Sequence, residues 1–164
     1  MTAAWRLGPP DRPTSPLAIG VVVAVVVIDQ LAKAAAATWL PQQQPVDVIP
    51  GLLTLYRVAN TGIAFSLFAG SGLLLTIVTA LIAVGVVVYW LRAEDGGRMA
   101  AIAYALILGG AIGNLIDRLR LGSVVDFLFL HLGARPLFIF NLADAALTIG
   151  PVLLVLQYAL PPRD

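Results

Sequence analysis

The chain has 164 residues, of which 60% are apolar and 12% charged, with a formal net charge of +1. Ordinary soluble domains carry about a quarter charged residues, so a soluble fold is excluded, and nucleic-acid binding lacks the basic patch it requires. There is no cysteine and a single histidine, His131, which removes disulfides, thiol nucleophiles, thiolate metal sites and a multi-histidine metal centre.

Residues 1–16 hold Arg6, Asp11, Arg12 and four prolines. Proline fixes φ and lacks an amide donor, so this stretch reads as a polar tail. Residues 17–40 are apolar apart from Asp29, Gln30, Lys33 and Thr38 and are long enough to span a bilayer, which takes about 20 residues. A Pro/Gln loop follows at 41–50. Residues 53–60 alternate imperfectly and predict a short strand, and 60–68 a turn containing Gly62. Residues 73–91 form a second span, and 92–98 a polar loop. Residues 99–116 form a third span, whose Gly109, Gly110 and Gly113 suit close helix packing in lipid. The segment 117–140 is mixed, with Asp117, Arg118, Arg120 and Asp126 before an apolar run at 127–132 and then residues 133–136. Residues 141–160 form the fourth span.

The reading is an all-α membrane protein: a tail at 1–16 and a single four-helix domain at 17–164. Four spans put both termini and the loop 92–98 on one side, and 41–72 with 117–140 on the other. Arg6, Arg12, Arg92, Arg98 and Arg163 lie on the termini side, against Arg57, Arg118, Arg120 and Arg135 opposite. The positive-inside rule then places the termini in the cytoplasm. The basic stretch, the apolar run 17–28 and the alanines at 34–37 have the look of a cleavable signal peptide, but Asp29, Gln30 and Lys33 do not suit one.

Charges inside a membrane cost about 2.5–3.5 kcal/mol each at a helix centre, and they persist where they pair or work. Here they gather near one face: Asp29, Lys33, Asn60, Asn114, Asp117, Asp126, Asn141 and Asp144 all fall at similar depth. Asn114 and Asp117 share a helix face by i, i+3 spacing, as do Asn141 and Asp144. Asp29 and Lys33, at i, i+4 with the acid first, suit a structural ion pair. The asparagines also suit helix caps and interhelical hydrogen bonds. Arg118 suits snorkelling or a lipid phosphate, and His131 is incidental. Asp126 and Asp144 differ, since neither has a basic residue three or four positions away. Two neighbouring carboxyl groups cannot both ionise easily and share a proton. One then takes a proton from water while the other donates to a scissile carbonyl oxygen, which is the aspartic-protease chemistry and needs no metal or cofactor.

With these residues in view, the sequence resembles bacterial lipoprotein signal peptidase (signal peptidase II). The matching blocks are Asp29-Gln30-Leu31-Ala32-Lys33, Asn60-Thr61-Gly62-Ile63-Ala64-Phe65, Gly109-Gly110-Ala111-Ile112-Gly113-Asn114-Leu115-Ile116-Asp117-Arg118, Val124-Val125-Asp126-Phe127 and Phe140-Asn141-Leu142-Ala143-Asp144. The resemblance implies a four-span aspartyl endopeptidase of the inner membrane, without cofactor. Such an enzyme cleaves signal peptides from prolipoproteins before a diacylglyceryl-modified cysteine. It implies Asp126 and Asp144 as the catalytic pair. It implies Asp29, Asn60, Asn114, Asp117, Arg118 and Asn141 as supporting or substrate-binding residues, and Lys33 is placed with them as the partner of Asp29. It also implies a small extracytoplasmic β-cradle and a short interfacial helix, near 44–60 and 124–134. The expected partners are lipid-modified precursor lipoproteins and membrane phospholipid, with no nucleic acid and no obligate protein partner.

Three further expectations follow. Asp144 opens a helix, where the dipole favours its charged form, while Asp126 sits among apolar side chains, so Asp126 is expected to hold the proton. Arg118 is expected to bind substrate lipid or a backbone carbonyl. The run 127–132 is expected to act as an interfacial lid. The competing readings are a transporter or channel subunit, whose charges would line a full path, and a scaffold in which polar residues only join helices.

Overall fold

The computed structural model describes residues 9–41, 44–62, 72–94 and 96–159. The turn expected at 60–68 therefore lies outside the described residues from position 63 on, as do the first half of the tail and the last position of the fourth span. Four helices, α1 (Pro16–Trp39), α2 (Gly72–Arg92), α3 (Gly97–Leu121) and α4 (Leu142–Ala159), are each long and apolar enough to cross a membrane. α1 starts on Ser15, whose side chain accepts the Ala18 N–H, with Pro16 in the first turn; a proline there gives up an N–H that would have no helical partner. Thr38, Thr76, Thr79 and Thr148 each return their hydroxyl hydrogen to the carbonyl four residues back, so no hydroxyl among them faces lipid unsatisfied.

α3 is the central helix and is mostly buried. It packs on α1, α2 and α4, and its small residues set how closely they approach. A Cβ at Gly110 would lie 2.5 Å from the Ala143 carbonyl oxygen, and one at Gly113 2.7 Å from Asp29 Oδ2. At the termini end, Trp90, Ala18, Ala100, Ala101, Tyr104 and Ala105 form a buried cluster. There Trp90 Nε1 donates to the Asp11 carbonyl at 2.8 Å, tying the end of the tail to α2.

α3 runs five residues beyond its expected end. It stops at Gly122, whose φ of 70° lies in the left-handed region and whose N–H caps the Arg118 carbonyl. The chain then turns into a four-stranded antiparallel sheet of order β1-β2-β3-β4, with β1 (Val46–Ile49), β2 (Leu53–Asn60), β3 (Val124–Leu132) and β4 (Arg135–Phe140). The expected cradle is present, but 124–132 enters it as strand β3 rather than as a helix or a lid. Its apolar run is an inner strand, paired on both edges by β2 and β4. Among the described residues there is no short helix. β4 was not expected. Pro136 argues against an inner strand, but β4 is an edge, where a missing N–H costs nothing.

The imperfect alternation of 53–60 is a bulge. Leu55 pairs with Leu128 and Val58 with Asp126, so β2 has one more residue than β3 in that interval. An extra residue reverses which face the following side chains take. Beyond the bulge, Val58 and Asn60 share a face with Asp126, and Asn60 is the diagonal neighbour of Asp126. Within it, Arg57 donates to the Ala37 carbonyl in the last turn of α1, a position where a cation complements the helix dipole.

Candidate active site

The sheet lies over one end of the helices, and the polar residues singled out from the sequence meet where β3 enters and α4 leaves it. Asn141 is the N-cap of α4 and Asp144 its third residue. The Asp144 N–H donates to Asn141 Oδ1 at 2.9 Å, and the Asn141 N–H donates to Asp144 Oδ2 at 3.2 Å. This reciprocal pair is a capping box, so the local chain alone fixes the direction of the Asp144 carboxylate. With its oxygen engaged, the Asn141 amide turns Nδ2 outward and donates to Asp126 Oδ1 at 2.6 Å. The second oxygen of Asp126 accepts from Asn60 Nδ2 at 2.7 Å. Asn60 Oδ1 in turn holds the Gly62 N–H at 2.9 Å. Asp144 Oδ1 accepts from Asn114 Nδ2 at 2.7 Å. Each carboxylate therefore takes two N–H donors, and Asn141 is common to both.

Beneath this pair lies a buried ionic cluster. Lys33, 3% exposed, has all three N–H bonds engaged, with Asp29 Oδ2 at 2.9 Å, Asp117 Oδ2 at 3.0 Å and Asn114 Oδ1 at 2.9 Å. Gln30 Nε2 donates to Asp117 Oδ1 at 3.0 Å, to the Gly113 carbonyl at 3.2 Å and to Asp29 Oδ2 at 3.3 Å. Gln30 was passed over in the sequence because an amide on an apolar helix has no local partner to announce it. The available signal was its i, i+3 spacing to Lys33 on one face. Among the described residues Arg118 makes no hydrogen bond to this cluster, although the charges of Asp144, Asp126 and Asp117 act on it. Its Nη1 donates to Thr79 Oγ1 at 3.2 Å, linking α3 to α2.

Asp126 is 1% exposed. Burial, and then the nearby charge of Asp144, push its carboxyl up to about 6, against the pull of the hydrogen bonds from Asn60 and Asn141 and the charge of Lys33. Beside the pair opens a cavity of about 620 Å³, lined among others by Asn60, Arg118, Phe140, Asp144 and Thr148. His131 stands apart in the cradle, between the Thr54 hydroxyl and the Gly133 carbonyl, each at 2.8 Å, and stacked on Phe129. Among the described residues no cluster of His, Asp and Glu is arranged to hold a metal ion.

A family model described as Signal peptidase (SPase) II matches residues 21–160. The chain belongs to the signal peptidase II family. It is 43% identical over 145 residues to the lipoprotein signal peptidase of Mesorhizobium japonicum, covering 88% of this chain and 85% of that one. It is 46% identical over 142 residues to that of Pseudomonas aeruginosa (strain UCBPP-PA14), covering 84% of each. A solved bacterial membrane enzyme at 2.3 Å resolution superposes with a TM-score of 0.81 at 29% identity, over 95% of this chain and 93% of its own. A second, at 1.9 Å, gives 0.78 at 31% identity over 88% and 94%. Signal peptidase II is a membrane aspartyl peptidase, and the four spans and small sheet described above agree with that class.

Proposed function

We propose that this signal peptidase II uses Asp126 and Asp144 as its catalytic pair to remove signal peptides from diacylglyceryl-modified prolipoproteins, cutting before the lipid-modified cysteine. The observation that carries the assignment is the shared Asn141, which bonds Asp126 through its amide and Asp144 through its capping box. Two carboxyl groups from different elements, β3 and α4, are thereby held at one place beside the cavity. Asp126, whose hold on a proton burial strengthens, keeps it, and Asp144 accepts a proton from the attacking water. As the water oxygen bonds to the scissile carbon, Asp126 donates to the carbonyl oxygen. The C–N bond then breaks as Asp144 passes the proton that water gave to the leaving amine, and the carbonyl oxygen returns its proton to Asp126, which restores the pair.

Arg118 and Asn60 line the cavity and are suited to hold substrate carbonyl or ester oxygens. Arg118→Ala is expected to raise KM more than it lowers thermal stability, because among the described residues its side chain is held by one hydrogen bond, to Thr79. The test of the assignment is cleavage of a lipidated precursor peptide by purified protein carrying Asp144→Asn or Asp126→Asn. Loss of cleavage in a folded protein supports it, and cleavage by either variant sinks it. The transporter reading is not favoured, since the buried charges gather at one end of the bundle.

The membrane in question is the bacterial inner membrane, with the termini in the cytoplasm and the site near the outer face. Arg57 and Arg118 are engaged by Ala37 and Thr79, so neither counts toward orientation. Basic residues on the sheet side are then fewer than on the termini side, as the positive-inside rule requires. A reporter fused at the C-terminus, active only in the cytoplasm, checks this.

A further inference from the structure

The ionic cluster below the pair does more than neutralise itself. Asp29 Oδ1 accepts the N–H of Ala143 at 2.9 Å, and Ala143 directly precedes Asp144. Asp117 Oδ2 accepts the N–H of Val125 at 3.1 Å, and Val125 directly precedes Asp126. Lys33 joins the two acids, at 2.9 and 3.0 Å. Its remaining N–H goes to Asn114 Oδ1, which turns the Asn114 amide so that Nδ2 meets Asp144. Lysine carries donors only, so it dictates that orientation. Asp29 reaches its place because Gly113 has no side chain to exclude it.

We infer that Lys33, with Asp29 and Asp117, is a positioning clamp that fixes the spacing of the two backbone segments carrying Asp126 and Asp144. This rests on those two acids being the catalytic pair. The cluster touches neither the reacting carboxyl groups directly nor the cavity. It acts one residue upstream of each, through the peptide N–H groups. A buried ion cluster is a poor way to gain stability, because desolvation offsets the attraction. It is a good way to fix geometry, because its three charged groups tolerate little change in distance. Misplacing a reacting group by about 1 Å can cost about 10²-fold in rate.

The experiment uses the full chain in lipid and a lipidated precursor peptide. Lys33→Met keeps length and removes the charge. It is expected to lower kcat per folded molecule by about 10²-fold while KM stays within about 2-fold, since the cavity lining is untouched. A site-resolved carboxyl titration should also show Asp126 moving upward from about 6, because the Lys33 charge now pulls it down. Lys33→Met leaves two buried acids without their cation and can lose its fold. The triple variant Asp29→Asn, Lys33→Met, Asp117→Asn carries no buried charge there and is expected to fold, with kcat still depressed and KM still near normal. Either variant folding with wild-type kcat overturns the clamp, as does an activity loss that merely follows the folded fraction. Asp144→Asn runs alongside. Its retaining cleavage would remove the catalytic pair itself, a failure distinct from normal kcat in the Lys33 variants.

Discussion

Asn141 illustrates how much one side chain carries at the residue scale. Asn141→Ala removes the capping box and the donor to Asp126 together. The cap alone is worth about 1 kcal/mol, and the freed carboxyl groups should cost kcat about 10²-fold; thermal unfolding and single-turnover cleavage measure the two separately. Asp126 itself makes stability depend on pH. Its folded value of about 6 exceeds the unfolded 3.8, so the folded state binds the proton more tightly. Its contribution is full below about 4 and is lost as pH rises through about 6. Asp126→Asn should remove that part of the slope between pH 4 and 6, seen as a flatter dependence of the unfolding temperature. Asp144→Asn should lower the Asp126 titration, because it deletes a neighbouring charge that raises it. The two acids were legible in the sequence because they lacked local basic partners. The capping box was legible through a different local signal, the i, i+3 spacing of Asn141 and Asp144. Gln30 was not, because all its partners except Asp29 lie on another helix.

Among the elements, α3 and the bulged strand β2 do the positioning. Gly110→Ala would set a Cβ 2.5 Å from the Ala143 carbonyl oxygen and 2.9 Å from Leu147 Cγ. Backbone cannot yield as a side-chain tip can, so α3 and α4 must part, costing about 1–3 kcal/mol. Gly85→Ala meets nothing within 4 Å and should leave the unfolding temperature unchanged or slightly raised. In the cradle, buried Thr54 donates to Asp47 at 2.7 Å and lies 2.8 Å from His131 Nε2, joining three strands. Thr54→Val should cost about 1–3 kcal/mol, measured by denaturant melting. His131 is therefore a cradle residue rather than an incidental one. Span lengths were legible because hydropathy is a local sum. The second hairpin was not: Pro136 masks an edge strand, and the apolar run at 127–132 has no alternation to announce a strand. The bulge was visible only as broken alternation, and its effect of turning Asn60 toward Asp126 depends on the partner strand.

For the molecule as a whole, the sequence separates what must be buried from what must face lipid, but not which buried pieces touch. The meeting of α1 with β3 and α4 arises from chain segments about as far apart as this length allows, and only packing decides it. One further property follows from the cavity. Its wall includes Thr148 and Ile149, exposed residues of α4, so part of its lining belongs to a membrane-spanning segment. A substrate anchored by acyl chains would arrive by two-dimensional diffusion, and the quantity that governs encounter is its mole fraction among the lipids. Diluting the vesicles with inert phospholipid, at unchanged bulk amounts of enzyme and precursor, should slow the initial rate in proportion, whereas stirring or added viscosity in the aqueous phase should leave it alone.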